Sequence, residues 1–148
     1  MAFLRFFFSA APAYFDGAML LFRSFIGGCL IVHGLGKLGI VGSGNMAGFT
    51  GWLKSLGLPF PAAQARAAML SELVGGAMIV LGFGTRLAAI LCCVTLLVAA
   101  FLGHKGAGYL ITNTPPGNEY ALNLAVLMIV LLLLGPGLFS LDHLLAAH

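Results

Sequence analysis

His33 and Lys37 stand four residues apart in an otherwise apolar run, a spacing that puts both on one face of a helix. Glu72 lies in a second apolar run, where its helical neighbours are Ala68, Met69, Gly75 and Gly76. A third run ends in His104 and Lys105, and a fourth begins at Asn118 and Glu119. Imidazole and ammonium groups donate hydrogen bonds. A carboxylate walled by small apolar groups is either protonated or paired with a cation such as Lys37, His33 or an arginine. Such groups suit recognition of the polar head of a lipophilic molecule, or the passage of protons. Inside a membrane each centred charge costs about 3 kcal/mol or more, so each needs a reason to be there. His33, Lys37, Glu72, His104 and Glu119 are therefore the candidate ligand-binding or proton-transfer residues. No metal site is expected, and no catalytic residue is assigned.

The rest of the chain is what must position them. Of 148 residues, 61% are hydrophobic and 7% charged, against roughly 25% charged in a soluble domain. Mean hydropathy is +1.08. These figures exclude a soluble enzyme, a disordered chain and a nucleic-acid binder. The net charge of +3 comes from seven Lys/Arg against four Asp/Glu, too sparse for a basic face. The expected surroundings are membrane lipid. Cys29, Cys92 and Cys93 sit in apolar runs without a C-x-x-C spacing and read as small apolar residues.

A membrane span takes about 20 predominantly apolar residues. Four stretches come close: 17–37, 62–83, 87–103 and 119–134. Glycine-rich segments at 39–45 and 82–84, the Pro115-Pro116 loop and Gly135-Pro136-Gly137 separate them. In the first loop, Met46, Phe49, Leu53 and Leu56 recur at helical spacing beside Trp52, predicting a helix at about 45–56 lying on the membrane surface. Met1–Ala13 reads as an interfacial segment leading into the first span rather than a signal peptide, since it holds one Arg and a short apolar stretch. The predicted fold is all-α: a single multi-pass membrane domain, an antiparallel four-helix transmembrane bundle with a short interfacial helix in loop one.

Four spans put both termini on one side and loops one and three on the other. All five candidates, with Lys105, then fall in the half nearer loops one and three. By 1.5 Å per residue, Glu72 lies about 15 Å deep, toward the level of His33. Lys37, Lys54, Arg66 and Lys105 sit on the loop side and Arg5 and Arg86 on the terminal side. The positive-inside rule favours cytoplasmic loops one and three, if Lys37 is topogenic rather than functional. Bland readings stand beside the functional ones. Lys37, Lys105 and Glu119 can snorkel or anchor, His104 can cap a helix, His33 can be a bonded core histidine, and Glu72 can belong to a structural ion pair. In the other half, Arg23 and Arg86 with Asp142 or Asp16 read as structural charge pairs clamping the terminal side. Ala67, Ser71 and Gly75 form a small-residue stripe, and Gly27 and Gly28 thin the first helix, for close helix packing.

These residues also carry a family likeness. Arg23-Ser24-Phe25-Ile26-Gly27-Gly28, His33-Gly34-Leu35-Gly36-Lys37-Leu38, Leu56-Gly57-Leu58-Pro59-Phe60-Pro61, Glu72-Leu73-Val74-Gly75-Gly76 and Leu81-Gly82-Phe83-Gly84-Thr85-Arg86 follow in order. Then come His104, Glu119 and Leu134-Gly135-Pro136-Gly137-Leu138-Phe139-Ser140-Leu141-Asp142. The set, from about Gly17 to Asp142, resembles the DoxX family of small four-helix bacterial membrane proteins. The resemblance implies kinship with a small subunit of thiosulfate:quinone oxidoreductase and a place in the bacterial inner membrane. It carries over no thiosulfate site and does not fix the substrate. The leading expectation is a redox-associated membrane subunit that binds a quinone or similar lipophilic molecule and takes electrons from a partner or a bound cofactor. The alternative is a non-catalytic scaffold that docks a soluble or membrane oxidoreductase. A haem held by His33 and His104 is disfavoured because His104 lies at a helix end. A transporter or channel, built through a homo-oligomer, completes the set.

Overall fold

A computed structural model describes residues 14–147 as helices and turns, with no strand among them. The expected interfacial segment at Met1–Ala13 lies outside the described residues. Helix α1 is Phe15–Leu38, α2 is Met46–Ser55, α3 is Pro61–Leu81, α4 is Thr85–Gly103, α5 is Glu119–Leu134 and α6 is Leu141–Ala146. Local chemistry sets several ends. Asn45 caps α2 by accepting from Gly48 N at 2.7 Å, Pro61 opens α3 where its missing N–H costs nothing, and Ser140 caps α6 by accepting from His143 N at 3.1 Å. Two helices contain a wide π-helical turn, Ser71–Gly75 in α3 and Ala99–Gly103 in α4.

Helices α1, α3 and α4 are long and apolar enough to cross a membrane. Helix α5 is equally apolar but has 16 residues, or about 24 Å of rise. The second half of α3 packs against α1 and α4, and α4 packs along α5. Leu30, Ile79, Ala88, Ala89, Cys92, Met128 and Leu131 are fully buried where these helices meet. Large apolar side chains such as Leu21, Phe25 and Leu133 point outward, as they do where the surrounding medium is lipid.

Small residues set the closest approach. A Cβ on Gly27 would lie 2.6 Å from the Gly76 carbonyl oxygen, and one on Gly76 would lie 2.8 Å from that of Gly27. The two backbones cross with no room for a side chain, the packing that substitutes for hydrophobic drive in lipid. The expected roles shift in two places. Gly28 has nothing near it, so Gly27 alone makes the crossing. The stripe on α3 divides: Gly75 meets Cys92 Sγ of α4, which a Cβ at position 75 would approach to 2.6 Å, whereas Ala67 faces a cavity.

At the end of the molecule away from loop one, Arg23, Arg86 and Asp142, the residues expected to form charge pairs, make hydrogen bonds to the main chain, while Arg23 and Asp142 attract each other through space. Arg23, 1% exposed, donates to the Phe139 carbonyl and, at 3.5 Å, to that of Ile79. Arg86 Nε donates to the Leu132 carbonyl at 3.1 Å. Asp142 accepts from Gly84 N at 2.6 Å and Thr85 N at 2.8 Å, and Asp16 accepts from Leu138 N at 2.8 Å. The reason is the unpaired groups at helix ends. Cations go to carbonyls at the C-terminal ends of α3 and α5. An anion goes to the N-terminal amides of α4, whose cap position is Gly84 and has no side chain to do it. Burial pushes the Asp142 carboxyl up, but the Thr85 and Gly84 hydrogen bonds, helped by Arg23, outweigh it and hold the group below the usual carboxylate range. Gly82 is required here: a Cβ would collide with the Arg23 guanidinium, and its φ of +67° suits glycine.

Candidate functional site

Between the loop-one ends of the helices lies a chamber of about 590 Å³, walled by α1, α2, α3, α4 and the start of α5. Helix α1 brings His33 and Lys37 to it on adjacent turns, as their spacing requires. Helix α3 brings Glu72 from within its π-helical turn. The extra residue of such a turn rotates the following side chains relative to a regular helix, and these turns recur at functional sites. Lys37 Nζ and the Glu72 carboxylate form a hydrogen-bonded salt bridge. It is the one direct ion pair among the described residues. Glu72 is 6% exposed, so Lys37 supplies the partner that a carboxylate at that depth needs.

Aromatic groups complete the walls. The His33 ring stacks on Tyr120 of α5 with centroids 4.4 Å apart. Tyr120 Oη lies 3.4 Å from Cys29 Sγ, one turn before His33 on α1. From α2, Phe49 and Trp52 stack on each other at 5.8 Å, and Lys37 Nζ lies 5.1 Å from the Phe49 ring centre, within cation–π range. Trp52 reaches across to α4, where a Cβ on Gly103 would touch its indole at 2.7 Å. A second cavity, of about 620 Å³, lies outside the first against the glycine-rich segment Gly42–Gly44, and shares His33, Lys37, Phe49 and Trp52 as its wall.

Of the five candidates read from sequence, His33, Lys37, Glu72 and His104 line this chamber and Glu119 does not. His104 uses Nδ1 to bond the Pro116 carbonyl at 2.8 Å. A carbonyl only accepts, so Nδ1 carries the hydrogen. Glu119 accepts from Ile111 N at 3.0 Å and so organises the loop before α5. Sequence reasoning missed Tyr120 altogether and gave Trp52 an interfacial place without its part in the chamber wall. A signal for Tyr120 was present: it is the one aromatic residue of α5, a helix otherwise almost wholly aliphatic beyond its first turn.

The DoxX family model matches residues 18–105. The chain belongs to the DoxX family. No curated protein and no solved structure matches it. The family match and the apolar helices make this an integral membrane protein with multiple membrane-crossing helices. The matched region of this DoxX protein runs from α1 to just past α4, and so contains His33, Lys37, Trp52, Glu72 and His104. Tyr120 and the Asp142 cap lie beyond it.

Proposed function

We propose that this DoxX protein binds a quinone, or a similar planar lipophilic redox molecule, in the chamber and acts as the membrane subunit of a quinone-linked redox reaction. The observation that carries this reading is the chamber's make-up: one salt bridge and two aromatic stacks enclosed by apolar helix faces. Its volume falls within the range of small-molecule sites, which combine apolar walls with a few placed polar groups. The quinone supplies the two-electron, two-proton chemistry. The protein supplies orientation and protons. Lys37 offers an ammonium to a ring carbonyl, His33 offers an imidazole on the adjacent turn, and Glu72 holds the charge balance and stands ready to exchange a proton with either. Nothing among these groups donates electrons readily, so reducing equivalents enter from an oxidoreductase partner.

In this reading α1, α3, α4 and α5 cross the bacterial cytoplasmic membrane in alternating directions, and α2 lies at the interface with Trp52 at headgroup level. The chamber then sits in the half of the bilayer nearer loops one and three. The test is direct. Trp52 is the only tryptophan in the chain and lines the chamber, so a bound quinone quenches its fluorescence. Titration of the purified protein in nanodiscs with decylubiquinone is expected to give saturable quenching that Lys37→Met weakens at least tenfold. Quenching that rises linearly without saturation, and is the same in both chains, removes the proposal. A chain that binds no quinone yet retains an oxidoreductase partner through purification is instead a docking subunit.

A further inference from the structure

The chamber has an opening toward the lipid, and the packing of α3 defines it. The second half of α3 lies against α4, down to the contacts of Gly75 with Cys92 Sγ and of Cys92 Sγ with the Ser71 carbonyl at 3.2 Å. Beyond the wide turn at Ser71–Gly75 the helices part. The first half, Pro61–Leu70, packs against α1 and α2 instead. Ala67 on one side of the resulting gap, and Val94 and Val98 on the other, line the chamber and are exposed. The gap closes again where Trp52 lies across Gly103. From Cys92 to Gly103 it spans about 16 Å of helix rise. Both helices that flank it are of membrane-crossing length and hydropathy.

Resting on the quinone reading, we infer that this gap between Ala67 and Val94/Val98 is a lateral portal, through which a ligand enters from the bilayer and in which its apolar tail lies when the head is bound. The chemistry at the two ends agrees with a tailed ligand. The inner end presents Lys37, Glu72 and His33. The outer end presents the methyl and isopropyl groups of Ala67, Val94 and Val98, and the neighbouring polar groups, the uncharged Thr95 and Gln64, are already bonded to the Leu91 and Pro59 carbonyls. Alanine at position 67 leaves the width that a chain of methylenes needs. The site thus selects a molecule that is both planar at its head and already dissolved in the membrane.

The experiment compares two probes of identical head, 2,3-dimethoxy-5,6-dimethyl-1,4-benzoquinone without a tail and decylubiquinone with one. Trp52 quenching is read in nanodiscs, with concentrations expressed in the lipid phase. Ala67→Phe fills the portal from one lip and Val94→Phe from the other, so that one informative chain remains should either fail to fold. Leu133→Phe, on the exposed face of α5, is the control. Each portal variant is expected to weaken the decyl probe at least tenfold while leaving the tailless probe within twofold, and the control to change neither. An unchanged decyl affinity, or equal loss for both probes, overturns the portal and leaves the quinone reading standing. Absence of saturable quenching by both probes in the unaltered chain overturns the quinone reading itself, and the portal with it.

Discussion

The imidazole of His33 lies stacked on the phenol ring of Tyr120, with planes 30° apart and centroids 4.4 Å apart. One face of His33 is thereby occupied, and its ring plane is set by a residue from the last of the chamber helices. Tyr120 is in turn held at its hydroxyl by Cys29. A hydrogen-bonding ring fixed in this way offers its edge to a ligand without having to be ordered on binding.

Tyr120→Phe keeps the stack and is expected to leave decylubiquinone affinity within about threefold. Tyr120→Leu removes it. Aromatic pairs contribute about 0.5–1.5 kcal/mol beyond their area, so affinity should fall up to about tenfold. Equal effects of the two substitutions, read by Trp52 quenching, would mean that the hydroxyl and not the stack matters.

Glu72→Gln should impair quinone binding at least tenfold with the fold retained, whereas Glu119→Gln should leave binding within twofold. Glu119 does not itself line the chamber and bonds the amide of Ile111 in the loop at its edge, so its substitution is expected to cost only about 1 kcal/mol of stability. Glu72→Leu is the companion variant. If Glu72→Gln and Glu72→Leu both bind normally, the carboxylate is a replaceable partner of Lys37.

The salt bridge predicts an asymmetry between its halves. Lys37 is near a helix end and its side chain is 18% exposed, against 8% for Glu72. Left alone, Lys37 can extend toward the interface, while Glu72 cannot. Lys37→Met should therefore destabilise by about 3 kcal/mol, the scale for stranding a buried charge, and Glu72→Leu by clearly less. Adding Glu72→Leu to Lys37→Met should recover most of the loss in thermal unfolding without recovering quinone binding.

Gly27→Ala forces a methyl into the Gly76 carbonyl and Val80 and should cost about 1–3 kcal/mol by overpacking. Gly28→Ala meets open space and should stabilise by about 0.5–1 kcal/mol through helix propensity. Thermal unfolding in detergent separates them, and a similar response from both would show that the α1–α3 crossing is looser than described.

Asp142→Asn should weaken the α3–α4 turn by about 1 kcal/mol, because Asn keeps one acceptor oxygen where two amides now bond. The folded-state pKa of Asp142 lies below its ordinary value, so its contribution is fully present above about pH 4 and is lost as pH falls through the lowered value. The Asn variant should lack that part of the acid destabilisation. Parallel pH profiles for the two chains would show that the carboxylate is not charged in its cap.

The helices were legible because apolar runs of near-membrane length, broken by glycine and proline, admit few other structures. His33, Lys37, Glu72 and His104 were legible because charge and hydrogen-bonding capacity are costly in lipid and stand out against it. Tyr120 and Ala67 carry no such cost, and only Tyr120, as the one aromatic residue of α5, left a weaker signal. Their importance comes from where the α5 first turn and the wide turn of α3 place them, and that is a matter of packing between distant segments. The main-chain partners on the terminal side were hidden for a related reason. Charge complementarity suggests Arg with Asp, but free main-chain groups at helix ends compete for the same side chains, and their positions emerge only with the fold.

Arg23 has a consequence for how this protein is made. Its guanidinium is buried in the first helix, and one of its two main-chain partners, the Phe139 carbonyl, is 116 residues further along the chain. During synthesis α1 is made before either acceptor exists, and the Phe139 carbonyl arrives long after that of Ile79. Assembly is thus completed only when the segment after α5 docks. A chain that ends before Phe139 lacks that acceptor and leaves the buried guanidinium with the Ile79 carbonyl alone of the two.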